Sequence, residues 1–311
     1  MLVAIFGCAA CRDEVGLVSG FAEPVRVESG FFLEGELPVA DGGPTVTSVD
    51  ATNAIALLGQ DGRRLTGRVG NGAWSMGVRF ATLGSGWWIT EVGDISALYP
   101  AERDFAFSYE LGTGIPPGLH ALRVAAIDRH GRRGPATDLD LCLLDDAAPG
   151  GLTPCDPTLP PPAVVIAAAW NRDVDLDLVV ETPGGKLVRW KAPTTGSPVD
   201  GVVPDPMLDD PAVGRLNRDS NAGCIADGRN SEAVVFEGPP AAGVWSVYVE
   251  LFDACGEADV TYTVSVYRSR ERDDGTFRLE ETERRIGNLV AQFDTLGGAE
   301  PPLYVLSTEL P

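Results

Sequence analysis

Histidine is nearly absent from this chain: His120 and His130 are the two in 311 residues. Lysine and arginine total 24 against 45 aspartates and glutamates, for a net charge of -21. So few cations exclude a nucleic-acid partner, because binding to phosphate backbones is driven by clustered Lys and Arg that release counterions. The shortage of histidine removes the commonest general base and zinc ligand, and both histidines read as structural, one leading into a strand and one in a turn. A nucleophile elbow, a phosphate-cradling glycine loop and a Cys/His pair are also missing, so the chain reads as non-enzymatic. Residues 1–10 (M-L-V-A-I-F-G-C-A-A) are too short to span a bilayer, and no other apolar run approaches the ~20 residues required.

Turn chemistry is abundant instead. Glycine 37 and proline 24 in a chain that is 44% hydrophobic describe a globular protein with many turns between short elements. The length suits two domains with a core each. The expected fold class is all-β: two β-sandwich domains joined by a Pro/Gly-rich linker.

The apolar start followed by Cys11-Arg12-Asp13-Glu14 reads as the end of a signal peptide. Ile5-Phe6-Gly7-Cys8 resembles a bacterial lipobox, which implies Cys8 as the lipid-accepting residue and residues 1–11 as a signal remnant; the basic n-region of that pattern is missing. A buried N-terminal strand is the competing reading. Residues 12–29 read as a flexible segment. Cys142, Cys155, Cys224 and Cys255 lack zinc-type spacing and histidine company, so disulfides are the natural reading for an exported chain. Cys142 with Cys155 and Cys224 with Cys255 is the preferred one of three pairings.

Short apolar runs at 45–49, 54–58, 74–80, 87–92, 104–109, 119–127 and 137–144, punctuated by turns such as Asp41-Gly42-Gly43-Pro44, predict a sandwich over residues 30–144. The segment 116–135, beginning Pro116-Pro117-Gly118-Leu119-His120, resembles the late strand and turn of immunoglobulin-like and fibronectin type III-like domains. That resemblance implies Leu122, Val124 and Ala126 in the core. Of Trp74, Trp87 and Trp88, a sugar-stacking pair is conceivable, but adjacent strand residues point to opposite faces, so one of Trp87 and Trp88 belongs to the core.

Residues 145–162 are dense in Pro and Gly and form the linker. Beyond it, W-N-R-D-V-D-L-D-L-V-V from Trp170, then Asp219-Ser220-Asn221-Ala222-Gly223-Cys224, Asp227-Gly228 and Cys255, resemble the YfaP-type family of uncharacterised bacterial secreted domains. The match covers most of 163–267, with Ala233 and Trp245 departing from the usual Asn and Tyr. It implies a secreted β-sandwich module over 163–311, of unstated biochemical role.

The acidic loop 217–232 carries the sharpest site hypothesis. Asp173, Asp175 and Asp177 share one strand face about 6.5 to 7 Å apart. With Asp219, Asn221, Asp227 and Glu232 they supply the oxygens that calcium requires, giving Asp173, Asp175, Asp219, Asn221, Asp227 and Glu232 as the candidate metal set. It is no EF-hand, because Ala222 and Gly228 occupy the glycine and glutamate places. The competing reading has Asp219 and Asn221 capping turns, Glu232 paired with Arg229 or Arg172, and the strand aspartates facing water. Residues 268–285 read as a solvated, charged hairpin around Asp273-Asp274-Gly275.

These readings converge on an exported, lipid-anchored bacterial envelope protein, at the outer membrane, in the periplasm or outside the cell. Its partner is an unknown protein or glycan of the envelope, and it meets the membrane only through the lipid. A purely structural or assembly lipoprotein is the alternative, and a glycosidase with two carboxylates across a cleft a second one.

Overall fold

The computed structural model describes residues 20, 22–51, 53–145, 153–197, 210–298 and 301–311. Cys8 and residues 1–11 lie outside them. In the first half the strands are β1 (Val25–Val27), β2 (Phe31–Glu34), β3 (Val46–Ala51), β4 (Ile55–Leu57), β5 (Arg63–Gly70), β6 (Ser75–Phe80), β7 (Gly86–Glu91), β8 (Glu102–Leu111), β9 (Gly118–Ile127) and β10 (Arg133–Leu144). They form two sheets, β1-β8-β5-β3 and β2-β7-β6-β9-β10-β4, packed through one core. The alternation expected of a half-buried strand appears in β8, where every second residue is buried, and β5, which lies outside the expected runs, alternates in the same way. Leu122, Val124 and Ala126 lie in that core, fully buried.

Two expectations change here. Val25–Val27 is a buried strand paired with β8, not part of a flexible segment. Trp87 and Trp88 are both buried, because the outer face of their sheet carries a second apolar cluster of Leu37, Trp87, Ile89, Ala125 and Ile127. Only Trp74 of that trio is exposed, which leaves no tryptophan platform.

The second half contains β11 (Val164–Trp170), β12 (Asp175–Glu181), β13 (Leu187–Val188), β14 (Arg215–Leu216), β15 (Ser231–Phe236), β16 (Gly243–Asp253), β17 (Asp259–Glu271), β18 (Phe277–Val290), the short helix α1 (Ala291–Asp294) and β19 (Leu303–Leu310). A five-stranded sheet, β14-β15-β11-β17-β18, faces a four-stranded one, β13-β12-β16-β19. Between them Ile166, Leu178, Phe236, Trp245 and Val264 form a separate core. Among the described residues both halves are β-sandwiches, and the architecture is all-β apart from α1 and two 3-10 turns.

The five-stranded sheet is buried on both faces. Val164, Ile166 and Ala168 point into its own core, whereas Val165, Ala167, Tyr267 and Leu279 join the core of the first half. This explains why β11 reads V-V-I-A-A-A-W without alternation: a strand covered on both sides needs apolar residues at every position. The seam between the halves is hydrogen-bonded, with the Tyr267 hydroxyl donating to Gly114 O at 3.2 Å and the Ser231 hydroxyl to Thr113 O at 3.2 Å. The hairpin β17–β18 is therefore not simply solvated: Arg278 reaches Asp140 at 2.9 Å and Arg284 lies inside the seam.

Cys142 is bonded to Cys155, tying the end of β10 to the 3-10 turn Thr153–Cys155. His120 is 3% exposed and its ring N–H donates to Pro116 O at 2.8 Å. Burial, with help from Arg278, lowers its pKa from 6.5 to about 4. The unfolded chain takes up a proton near 6.5 that the folded chain refuses until near 4, so stability falls as pH drops through that window. The loss is of order 3 kcal/mol. Urea titrations at pH 4 and 7 are expected to show this fall in the native sequence and a smaller one in His120→Gln, whose amide keeps a donor. Equal pH dependence in both would contradict it.

Candidate functional site

The loop between β14 and β15 is built by its own side chains. Asn221 adopts a left-handed conformation (φ 60), which asparagine tolerates, and opens the turn Ala222–Cys224. Its amide donates to Val174 O at 3.1 Å and to Asn230 Oδ1 at 2.7 Å, and its oxygen accepts from Asp227 N at 3.0 Å. Asp227 accepts from the Ser220 hydroxyl and from Arg229 N. Cys224 is bonded to Cys255, so the turn is stapled to the β16–β17 connection.

Glu232 lies on the inner face of its sheet, 1% exposed, and accepts from Leu178 N at 2.8 Å and Ser220 N at 3.0 Å. β13 covers only Val180 and Glu181 of β12, so Leu178 N–H lies on an edge that a side chain must satisfy. Glu232 thus joins the two sheets and is not paired with Arg229 or Arg172, which bind Asp145 and Glu257.

Asp173 precedes β12 and accepts from Asn230 Nδ2, so the strand face begins at Asp175. Asp175 and Asp177 lie on that face and, contrary to the solvent-facing alternative, are 4% and 2% exposed. They converge with Asp219: one carboxylate oxygen from each lies within 4.8 Å of the others. Asp177 also stands directly opposite Glu250 on β16. Burial raises all three aspartates, Asp177 to about 7, where repulsion from Asp175, Asp219 and Glu250 adds to burial and Arg189 opposes it. Burial likewise raises Glu232 well above the usual range. Chemically, such a cluster either retains protons at neutral pH or holds a cation.

Of the metal set expected from sequence, then, Asp175 and Asp219 meet, Asp177 joins them, and Asp173, Asn221, Asp227 and Glu232 are engaged in the framework. Glu250 was missed; its only signal is a carboxylate in the outward register of β16, between Tyr248 and Phe252.

The same outer face of the four-stranded sheet continues into an open aromatic and hydroxyl row. Tyr248 and Tyr304 pair across strands with ring centroids 5.8 Å apart, and Tyr304 is 55% exposed. The Tyr248 hydroxyl donates to Glu181 at 2.7 Å, a bond that raises the phenol above its ordinary pKa. Tyr304 donates to the Ser307 hydroxyl, which meets that of Ser246 at 3.2 Å. At the other end Trp190, 39% exposed, packs edge-on against Phe252.

A cavity of about 90 Å³ in the seam is lined by Glu23, Thr113, Trp170, Thr263, Tyr267 and Arg284 among others. Arg284 pairs with Glu23 there, and Thr113, Thr263 and Tyr267 donate across the seam to the carbonyls of Asn230, Ala22 and Gly114.

No family model matches the chain, and no curated protein matches it. Among solved structures it is similar to the collagen adhesin of S. aureus, at 10% identity and a TM-score of 0.18, with 79% of this chain and 96% of that one covered. An overlap of that quality transfers no property from one molecule to the other.

Proposed function

We propose that this chain is an exported, non-enzymatic binding module of the bacterial cell envelope, anchored through Cys8, which holds a glycan on the outer face of the sheet β13-β12-β16-β19. The observation that carries this reading is the open Tyr248–Tyr304 pair with its flanking hydroxyls and carboxylate. Aromatic rings stack on the C–H faces of sugars, while Glu181, Ser246 and Ser307 offer acceptors and donors to ring hydroxyls. Two disulfides support an oxidising compartment, and the YfaP-type motifs support export. A binding role is favoured over glycosidase chemistry because Asp177 and Glu250, the directly opposed acids, are 2% and 3% exposed, out of reach of a sugar ring.

Affinity electrophoresis of the purified chain in gels containing envelope polysaccharide or soluble peptidoglycan fragments tests the proposal. Retardation is expected for the native protein, and Tyr304→Ala is expected to weaken it about tenfold without lowering the unfolding midpoint. Absence of retardation in every gel, or full retention by Tyr304→Ala, would overturn the glycan face and favour a purely structural or assembly role.

A further inference from the structure

Asp177 stands out among the described side chains. It is 2% exposed, yet no hydrogen bond from the described residues reaches its carboxylate, while Asp175, Asp219 and Glu250 add negative charge around it. A carboxylate taken out of water without a donor is retained only if something neutralises it. Among the described residues Arg189 acts on it as a cation, set against three acids.

The geometry beside it is compatible with a coordination shell. Ligand oxygens lying about 2.4 Å from a common ion are at most about 4.8 Å apart. The oxygens of Asp175, Asp177 and Asp219 meet that limit. The surrounding loop is already built: Gly223 N donates to Asp175 Oδ2 at 2.7 Å and fixes it, and Glu232 secures Ser220 next to Asp219. Asp219 is exposed, which leaves a side of the cluster open to water ligands. No sulfur competes, since Cys224 and Cys255 are bonded to each other, and no histidine is near in sequence. Three hard carboxylates in an irregular loop suit calcium, which accepts six to eight oxygens in flexible geometry, better than magnesium, which demands a near-ideal octahedron.

We propose that Asp175, Asp177 and Asp219 form a calcium site that clamps the loop 217–230 onto the outer face of β12. The site does not depend on the glycan face and stands or falls separately.

Calorimetric titration of the full oxidised chain with calcium chloride, with thermal unfolding in calcium and in chelator, tests this. One equivalent is expected to bind, and the unfolding midpoint is expected to rise by several degrees at saturation. Asp177→Asn is expected to abolish both effects and, in chelator, to be at least as stable as the native chain, because it removes an uncompensated buried charge. A site that is only an ion pair with Arg189 predicts the opposite: Asp177→Asn destabilised equally with and without calcium. That outcome, the absence of heat and midpoint shift up to about 10 mM calcium, or an equal shift with magnesium at the same concentration would overturn the assignment.

Discussion

Arg284→Ala is expected to lose about 3 to 5 kcal/mol of stability, among the largest effects of any single substitution in the chain. Arg284 comes from β18 and enters the seam between the halves, where its side chain is 12% exposed. Its guanidinium lies 3.1 Å from Glu281 and 3.6 Å from Glu23, and also donates to Ala22 O. The two acids are themselves held by the first half: Ser85 N and its hydroxyl donate to Glu23 at 3.0 and 2.6 Å, and Gly84 N donates to Glu281 at 2.7 Å. Glu281 belongs to the second half, so the cluster locks one half onto the other. Removing the cation leaves two buried carboxylates facing each other with their donors but no counter-charge. Burial already raises Glu23, and Arg284 holds that rise in check. Urea unfolding at pH 7 is expected to show an earlier transition and a separation of the two halves into distinct steps. Losing under about 1 kcal/mol would mean that apolar contact through Val165, Ala167, Tyr267 and Leu279 carries the seam alone.

The double substitution Cys224→Ser with Cys255→Ser is expected to cost a further ~4 kcal/mol, and to lower the thermal midpoint by about 10 °C. The bridge spans 31 residues, and closing a loop of that length restricts the unfolded chain strongly. It also holds the turn Ala222–Cys224, whose Gly223 N–H fixes Asp175, so under the proposed calcium site the variant would bind the ion more weakly than the oxidised native chain. Differential scanning calorimetry with and without calcium reads both effects. An unchanged midpoint would show that the Asn221 and Asp227 hydrogen bonds hold the turn without the bridge.

Much of this architecture is legible in the residues. Period-two alternation marks β8, β16 and β17, and Asp273-Asp274-Gly275 marks the turn of the longest hairpin, whereas β5 falls between the expected apolar runs because its inward positions are Leu65, Gly67 and Val69, with a glycine in the middle. The cysteine spacing and the density of oxygen-bearing residues around Asn221 single out the loop that the structure places beside β12. Other features were invisible for definable reasons. Val25–Val27 is three residues long, too short to show a period, and is a strand only because β8 offers it an edge. Trp87 and Trp88 alternate correctly, but alternation separates the two faces of a sheet without revealing that both are covered.

The sequence by itself determined the all-β class, the turns and the disulfide-competent cysteines, because these depend on local backbone preference and on the alternation of side chains along a strand. Tertiary structure alone decided which acids meet. Asp173, Asp175 and Asp177 are equivalent in a strand pattern, but Asp173 is drawn into the hydrogen bonds of Asn230, while Asp175 and Asp177 are covered by residues more than 40 positions away. Glu232 is equally ambiguous until the unpaired edge of β12 arrives to use it. Charge pairing and desolvation depend on distances between segments remote in the chain, and no local periodicity encodes those distances.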